Sequence, residues 1–333
     1  MEPLRIGVLG AARISENAIG KAARESGQRL VAVAARDRSR AEAFAAEHDV
    51  ERVLDSYDAV IGDPEVEVVY NPLPNGLHGP WNLRAIAAGK HVLTEKPSSS
   101  DAGEAREVRD AAAAAGVQVV EAFHYLHHPL MRRVLEVLAS GDLGTLQRVD
   151  VSMRMPPPDA GDPRWSFDLA GGSLMDVGCY GLDVVRTIAA TLGGPVEVVA
   201  ARGTGGDADP RVDAAVDVDL ALPGGVRATV LSGMTHDDVD FSLTLTGDAG
   251  TLHAPAFVLP HQDDRLVLTT SAGETTEHTG TRSTYAYQLD ALAALLRDGT
   301  PIGPDADDAV AQAELVDAVY VAAGLPVRPR SEV

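Results

Sequence analysis

HVLTEKP (residues 91–97) is a short apolar run that stops at a glutamate, a lysine and a proline. Ala88 and Gly89 before it read as a helix end, so the run reads as a buried strand that delivers a charged pair to its carboxyl end. In open α/β sheets, ligands bind in the crevice outside the carboxyl ends of the strands, which puts Glu95 and Lys96 in a cleft. Only three of the 28 basic residues are lysines, namely Lys21, Lys90 and Lys96. A lysine can give up its proton where an arginine cannot, so Lys96 suits chemistry. Taken alone, the pair fits a solvated strand end equally well.

Working outward, apolar runs at 4–9, 30–35, 66–70, 91–94 and 117–120 alternate with helical segments at 14–26, 40–47, 79–88 and 102–115. Strand and helix in alternation predict a parallel sheet with crossover helices, a doubly wound α/β domain over 1–122. The second domain, 123–333, has helices at 130–140 and 173–192. Its strands at 147–155, 196–202, 214–222, 226–232, 241–246 and 265–270 are separated by turn signals, which predicts a large, mostly antiparallel open sheet. Helices at 285–297 and 306–323 close it.

The 333 residues carry a net charge of −21, which repels a phosphate backbone and an anionic membrane surface alike. Nucleic acid and membrane are therefore not expected partners, and a small-molecule substrate is. No apolar stretch approaches the ~20 residues needed to cross a bilayer. The start lacks the three parts of a signal peptide, so a cytoplasmic protein is expected. One cysteine, Cys179, offers neither a disulfide nor a zinc spacing, and it reads as a packed residue. His124, His127 and His128 have helical spacing, but Pro129 follows at once and no carboxylate lies at a partner spacing. No metal is expected.

The turn GAARIS (10–15) stands where a dinucleotide fold brings backbone to a pyrophosphate. Gly10 keeps the pattern, while Ala12 and Ser15 replace the later glycines; Gly10, Ala12, Arg13 and Ile14 are the expected contacts, against the plainer reading of a tight turn. Arg36 ends the second strand, where an acidic residue would hold the ribose of NAD and an arginine accommodates the 2′-phosphate of NADP. NADP is thus the expected cofactor, with NAD possible. In NPLPNGLH (71–78), Leu73, Asn75 and His78 are expected to face the cofactor, with helix capping as the competing role for Asn75. In the helix at 173–192, a spacing of about 100° per residue puts Asp176, Tyr180, Asp183 and Thr187 on one face, with Gly178 and Gly181 leaving room for a close neighbour. Asp176 and Tyr180, at i and i+4, would meet in the cleft.

Together, GVLGAARIS, AARD, LPNGLH, AGKHVLTEKP, EAFHYLHHP and GGSLMDVGCYGLDVVR resemble the Gfo/Idh/MocA oxidoreductase family. The resemblance implies an N-terminal Rossmann domain, a C-terminal α/β domain, and a homodimer or homotetramer built through the large sheet. It also implies a cis bond before Pro97 and a Lys96 that contacts substrate and nicotinamide. Asp176 matches the family's aspartate. Tyr180 stands where the inositol dehydrogenases have histidine and is similar to the dihydrodiol dehydrogenase, xylose dehydrogenase and glucose-fructose oxidoreductase branch. So is DPRWSF (162–167), in which Arg164 and Trp165 are expected to line the site, Arg164 toward the cofactor and Trp165 toward the substrate. The implied activity is NADP-dependent hydride transfer at a carbinol or carbonyl carbon of a sugar, polyol or cyclic diol, with Lys96, Asp176 and Tyr180 catalytic. In that reading Tyr180 moves the hydroxyl proton, and Lys96 tunes Tyr180 and binds the oxygen. A non-catalytic NADP-binding regulator and a narrow biosynthetic keto or imine reductase are the alternatives.

Overall fold

The computed structural model describes residues 2–333 in two compact units. Unit one takes residues 2–124, 285–313 and 329–333, and unit two takes 125–284 and 314–328.

Unit one is built on a parallel sheet of β1 (Arg5–Leu9), β2 (Arg29–Ala34), β3 (Val68–Asn71), β4 (His91–Thr94) and β5 (Val119–Glu121), in the order β2-β1-β3-β4-β5. Val53 adds an isolated parallel bridge to Val33 on the outer side of β2. With that bridge counted as a strand, the order becomes 3-2-1-4-5-6, the arrangement of dinucleotide folds. Parallel strands are covered on both faces and therefore read as continuous apolar runs. Side chains alternate across each strand, so β1 sends Ile6 and Val8 into one core and Leu9 into the other.

The connecting helices of unit one are α1 (Ala22–Ser26), α2 (Arg38–His48), α3 (Tyr57–Gly62), α4 (His78–Ala87) and α5 (Ala102–Ala115). The segment expected as one helix over 14–26 opens instead with a π-helical stretch, Glu16–Lys21, before α1. Ser56 caps α3 by accepting from the Ala59 N–H; at six residues that helix is too short to give a periodic signal.

Unit two carries α6 (Pro129–Ser140), β6 (Leu146–Arg154), α7 (Cys179–Thr191), β7 (Glu197–Gly205), β8 (Asp213–Ala221), β9 (Arg227–Gly233), β10 (Asp240–Gly247), β11 (Gly250–Ala254), β12 (Arg265–Thr270) and β13 (Gly273–His278). Its sheet runs β13-β12-β11-β10-β6-β9-β8-β7, antiparallel except for the β6–β9 pair. α7 packs on β6 and β9. β11 and β13 were not expected; β13 is exposed almost throughout and offers no apolar alternation.

The chain closes with α8 (Thr284–Asp298) and α9 (Ala306–Ala322). The sequence placed all of 123–333 in one domain; the first break lies close by, at 124/125, while 285–313 and 329–333 return to unit one. Tyr285, Leu289, Leu292 and Ala293 of α8 are buried in the unit-one core with Leu4, Ile6 and Val8. An amphipathic helix goes where an apolar sheet face lacks cover, and sequence order does not decide where that is.

Candidate active site

In unit one the chemistry-bearing residues gather at the carboxyl ends of the strands. Gly10 ends β1 with φ +99° and its N–H donates to the Ala34 carbonyl at 2.7 Å. A Cβ there would lie 3.3 Å from Leu73 Cδ2 in a backbone conformation that side chains avoid. Leu73 thus packs on the turn. Ala12 is half-buried, while Arg13 and Ile14 are exposed beside it.

Past β2, Arg36 is exposed and is in no ion pair among the described residues. Its neighbours are committed: Arg38 pairs with Glu42 at 2.8 Å and with Asp55, and Arg40 donates to the Ala11 carbonyl at 2.6 Å. Asp37 caps α2 through the Ser39 N–H at 2.9 Å. The cradle the glycine opens and the uncommitted cation fit a dinucleotide with an extra phosphate.

After β3, Asn75 begins a single 3-10 turn, Asn75–Leu77, and the capping positions around it are Pro74 and Leu77. His78, expected to face the cofactor, is buried, with Nδ1 2.6 Å from the Pro97 carbonyl and Nε2 2.6 Å from the Leu73 carbonyl, so its ring ties two loops together. Burial pushes its pKa down to about 4 against the pull of both carbonyls, and the neutral ring has one N–H for two acceptors.

Glu95 is buried and accepts from the Tyr70 hydroxyl at 2.8 Å. Burial, then the Glu95 charge, pushes the Tyr70 and Tyr285 hydroxyls up. Lys96 is half-buried and joins Pro97 through a cis bond, as the resemblance implied.

In unit two, Asp176 sits in a π-helical turn, Leu174–Gly178, immediately before α7. That turn closes i to i+5, where the sequence reading took a uniform 100° per residue. Asp176 meets Arg164, whose Nε donates to Asp176 Oδ2 at 2.6 Å and whose other arm reaches Asp162 at 3.1 Å. Burial lowers the Arg164 pKa, but the two carboxylates outweigh it and hold the guanidinium above its ordinary value. Trp165 donates its indole N–H to the Pro158 carbonyl at 3.2 Å. Tyr180 is 7% exposed, with its ring 6.0 Å from Tyr125 at 68°.

Of the remainder of the expected polar face, Thr187 is half-buried and Asp183 is interior. Asp183 is buried and accepts from the Tyr125 hydroxyl at 2.5 Å. The close neighbour that Gly178 and Gly181 admit is β9: a Cβ on Gly181 would lie 2.5 Å from Val230 Cγ1. Cys179 is buried, as packing required. His128 caps α6 by accepting from the Leu130 N–H at 3.1 Å, and His124 stacks on Tyr285 at 4.0 Å. No group of three or more residues suited to a metal ion occurs among the described residues.

Sequence reasoning missed Asp213. It lies at the start of β8, fully buried, and accepts from the Ser173 hydroxyl (2.8 Å), the Leu174 N–H (2.7 Å), the Tyr320 hydroxyl (3.0 Å) and Arg328. It therefore caps the helical segment that bears Asp176 and Tyr180. An aspartate opening a strand carries no local signal of that role.

The family model described as "Oxidoreductase family, NAD-binding Rossmann fold" matches residues 4–123, and the GFO/IDH/MocA C-terminal domain matches residues 131–253. A D-xylose 1-dehydrogenase (NADP⁺) of Haloferax volcanii is 35% identical over 96% of this chain and 97% of its own. The trans-1,2-dihydrobenzene-1,2-diol dehydrogenase of Sus scrofa is 34% identical over 74% and 72%. A 3-ketoreductase from Actinomadura kijaniata, solved with NADP and TDP-benzene, superimposes with a TM-score of 0.88 at 30% identity, covering 96% of this chain and 98% of that one. That ketoreductase was also solved with one tyrosine changed to phenylalanine and with one lysine changed to alanine or glutamate. Among the described residues, no helix is long and apolar enough to cross a membrane.

Proposed function

The chain belongs to the GFO/IDH/MocA oxidoreductase family, and we propose that it is an NADP-dependent oxidoreductase acting on a carbinol or carbonyl carbon of a sugar, polyol or cyclic diol. The observation that carries the cofactor choice is Arg36, an exposed guanidinium just past β2 that is in no ion pair among the described residues, with an opened glycine turn following β1. The xylose and dihydrodiol dehydrogenases support the substrate class.

Bound NADP supplies or takes up the hydride. Gly10, Ala12, Arg13 and Ile14 would meet the pyrophosphate, Arg36 the 2′-phosphate, and Leu73, Asn75, Glu95 and Lys96 the nicotinamide end. Tyr180 would exchange the hydroxyl proton as general acid or base. Lys96 would hold the reacting oxygen with its positive charge. Asp176, already clasped by Arg164, would orient the substrate, and Trp165 would line its path. We place the protein in the cytoplasm as a homodimer or homotetramer.

Substrate deuterated at the carbinol carbon, offered with NADP⁺ as D-xylose or a trans-cyclic diol, tests the reading. Deuterium in the NADPH recovered supports it, whereas NADPH formed without deuterium rejects direct transfer. A second reading is favoured by relatives named as dTDP-3,4-didehydro-2,6-dideoxy-α-D-glucose 3-reductases, one of them 34% identical over 97% of this chain. Here the substrate would be a nucleotide-linked keto sugar, and free aldoses would fail while dTDP-keto sugars are reduced.

A further inference from the structure

The segment that follows Lys96 is held by side chains from three elements. From α4, His78 reaches the Pro97 carbonyl at 2.6 Å, and Asn82 donates to the Ser98 carbonyl at 3.2 Å. Glu121, at the end of β5, accepts from the Ser98 N–H at 2.8 Å. Glu104, in the first turn of α5, accepts from the Ser100 N–H at 2.7 Å. All four side chains are at most 3% exposed. The members are themselves braced: Asn82 Oδ1 accepts from Asn71 at 2.8 Å, and the Glu104 N–H donates to Asp101 at 2.8 Å.

Gly79 makes room for one of them. A Cβ on Gly79 would lie 2.1 Å from Glu104 Cδ, so the glycine in α4 lets the carboxylate of α5 reach Ser100. Two buried carboxylates aimed at backbone N–H groups are costly to place and form the stronger, charge-assisted kind of hydrogen bond. A loop that needed only to connect β4 to α5 would not require them, since loops usually satisfy their backbone at the surface. The residue at the head of this loop is Lys96.

We infer that His78, Asn82, Glu104 and Glu121 form a backbone clamp that fixes the loop after Lys96, and that they are positioning residues for its ammonium group. Resting on Lys96 acting in catalysis as proposed above, the inference assigns the precision of that group to residues that never touch substrate. A displacement of about 1 Å at a reacting group can cost about 100-fold in rate.

The chain's three lysines make the test direct, because an amine-acylating reagent followed by mass spectrometry reads Lys96 against Lys21 and Lys90 as internal controls. Full-length wild type is compared with Glu121→Ala, Gly79→Ala and the conservative Glu121→Gln and Glu104→Gln forms. Hydrogen exchange at the Ser98 and Ser100 amides is followed in the same samples. The clamp requires exchange at least tenfold faster and Lys96 acylation changed at least threefold in Glu121→Ala and Gly79→Ala, with Lys21 and Lys90 unchanged and both effects largely reversed by the glutamines. It also requires kcat to fall about 10- to 100-fold in Glu121→Ala and Gly79→Ala while the NADPH dissociation constant stays within about twofold. Faster exchange with Lys96 acylation unchanged overturns the inference, as does an unchanged kcat. Should Glu121→Ala not fold, Gly79→Ala and the glutamine forms carry the comparison, since they keep all four positions occupied. Full turnover in Lys96→Met would instead reject the catalytic reading of Lys96, while the exchange and acylation data still decide whether the clamp holds it.

Discussion

Tyr180 and Arg36 separate the two halves of the proposed function, in which one would move a proton and the other would hold a phosphate. A positioned acid or base is worth about 100- to 10,000-fold in rate. Tyr180→Phe should therefore lower kcat by about that factor with NADPH affinity unchanged, as read by steady-state kinetics and fluorescence titration. A hydrogen bond to a charged group contributes about 1.5–3 kcal/mol, so Arg36→Ala should weaken NADPH binding about 10- to 100-fold and leave NADH nearly untouched. An equal loss for both cofactors would remove Arg36 from the phosphate site. Residues at strand ends, such as Gly10, Arg36 and Lys96, were legible because a parallel sheet puts its ligand there whatever the details. His78 was not, because burial between two carbonyls depends on loops at 73 and 97 whose approach no local pattern encodes. The Arg164–Asp176 pair was hidden in the same way.

At the scale of elements, α5 appears over the residues its sequence predicts, with Asp101 capping it and Gly116 closing it in the left-handed conformation. The helix bearing Asp176 and Tyr180 is the contrasting case. Its period is interrupted by a π turn, and its N-terminus is capped by Asp213 from β8. Asp213 and Arg328 have fully buried side chains, and removing one partner of such a pair strands the other charge, at a cost of about 3–5 kcal/mol. Asp213→Ala should show that loss in urea denaturation, together with reduced turnover through the displaced segment. Gly181→Ala forces a methyl against Val230 and should cost about 1–3 kcal/mol. A midpoint unchanged from wild type in either variant would contradict the packing described for α7.

Over the whole molecule, acid sensitivity follows from three histidines. His78, His127 and His128 are each pushed down to about 4 by burial. The unfolded chain protonates its histidines near 6.5 and the folded chain does so only near 4, so stability falls as pH drops between those values. The slope is about 1.4 kcal/mol per pH unit for each such group. Glu104 and Asp213, raised by burial, offset part of this at the acidic end. Urea midpoints at pH 7 and pH 5 should differ, and equal midpoints would place these rings in water. The two-unit plan was readable from the change of strand spacing near residue 123, whereas the return of α8 to the first core was not, because cover for a sheet face is chosen by shape. The net charge of −21 repels polyanions, and the proposed function takes a small-molecule substrate. The most direct test of that account is the absorbance of reduced nicotinamide when the purified protein meets NADP⁺ or NAD⁺ with a panel of aldoses, inositols and cyclic diols. The account predicts reduction with at least one member, faster with NADP⁺ than with NAD⁺. Reduction confined to NAD⁺, or none across the panel and none in reverse with keto sugars and NADPH, would contradict it.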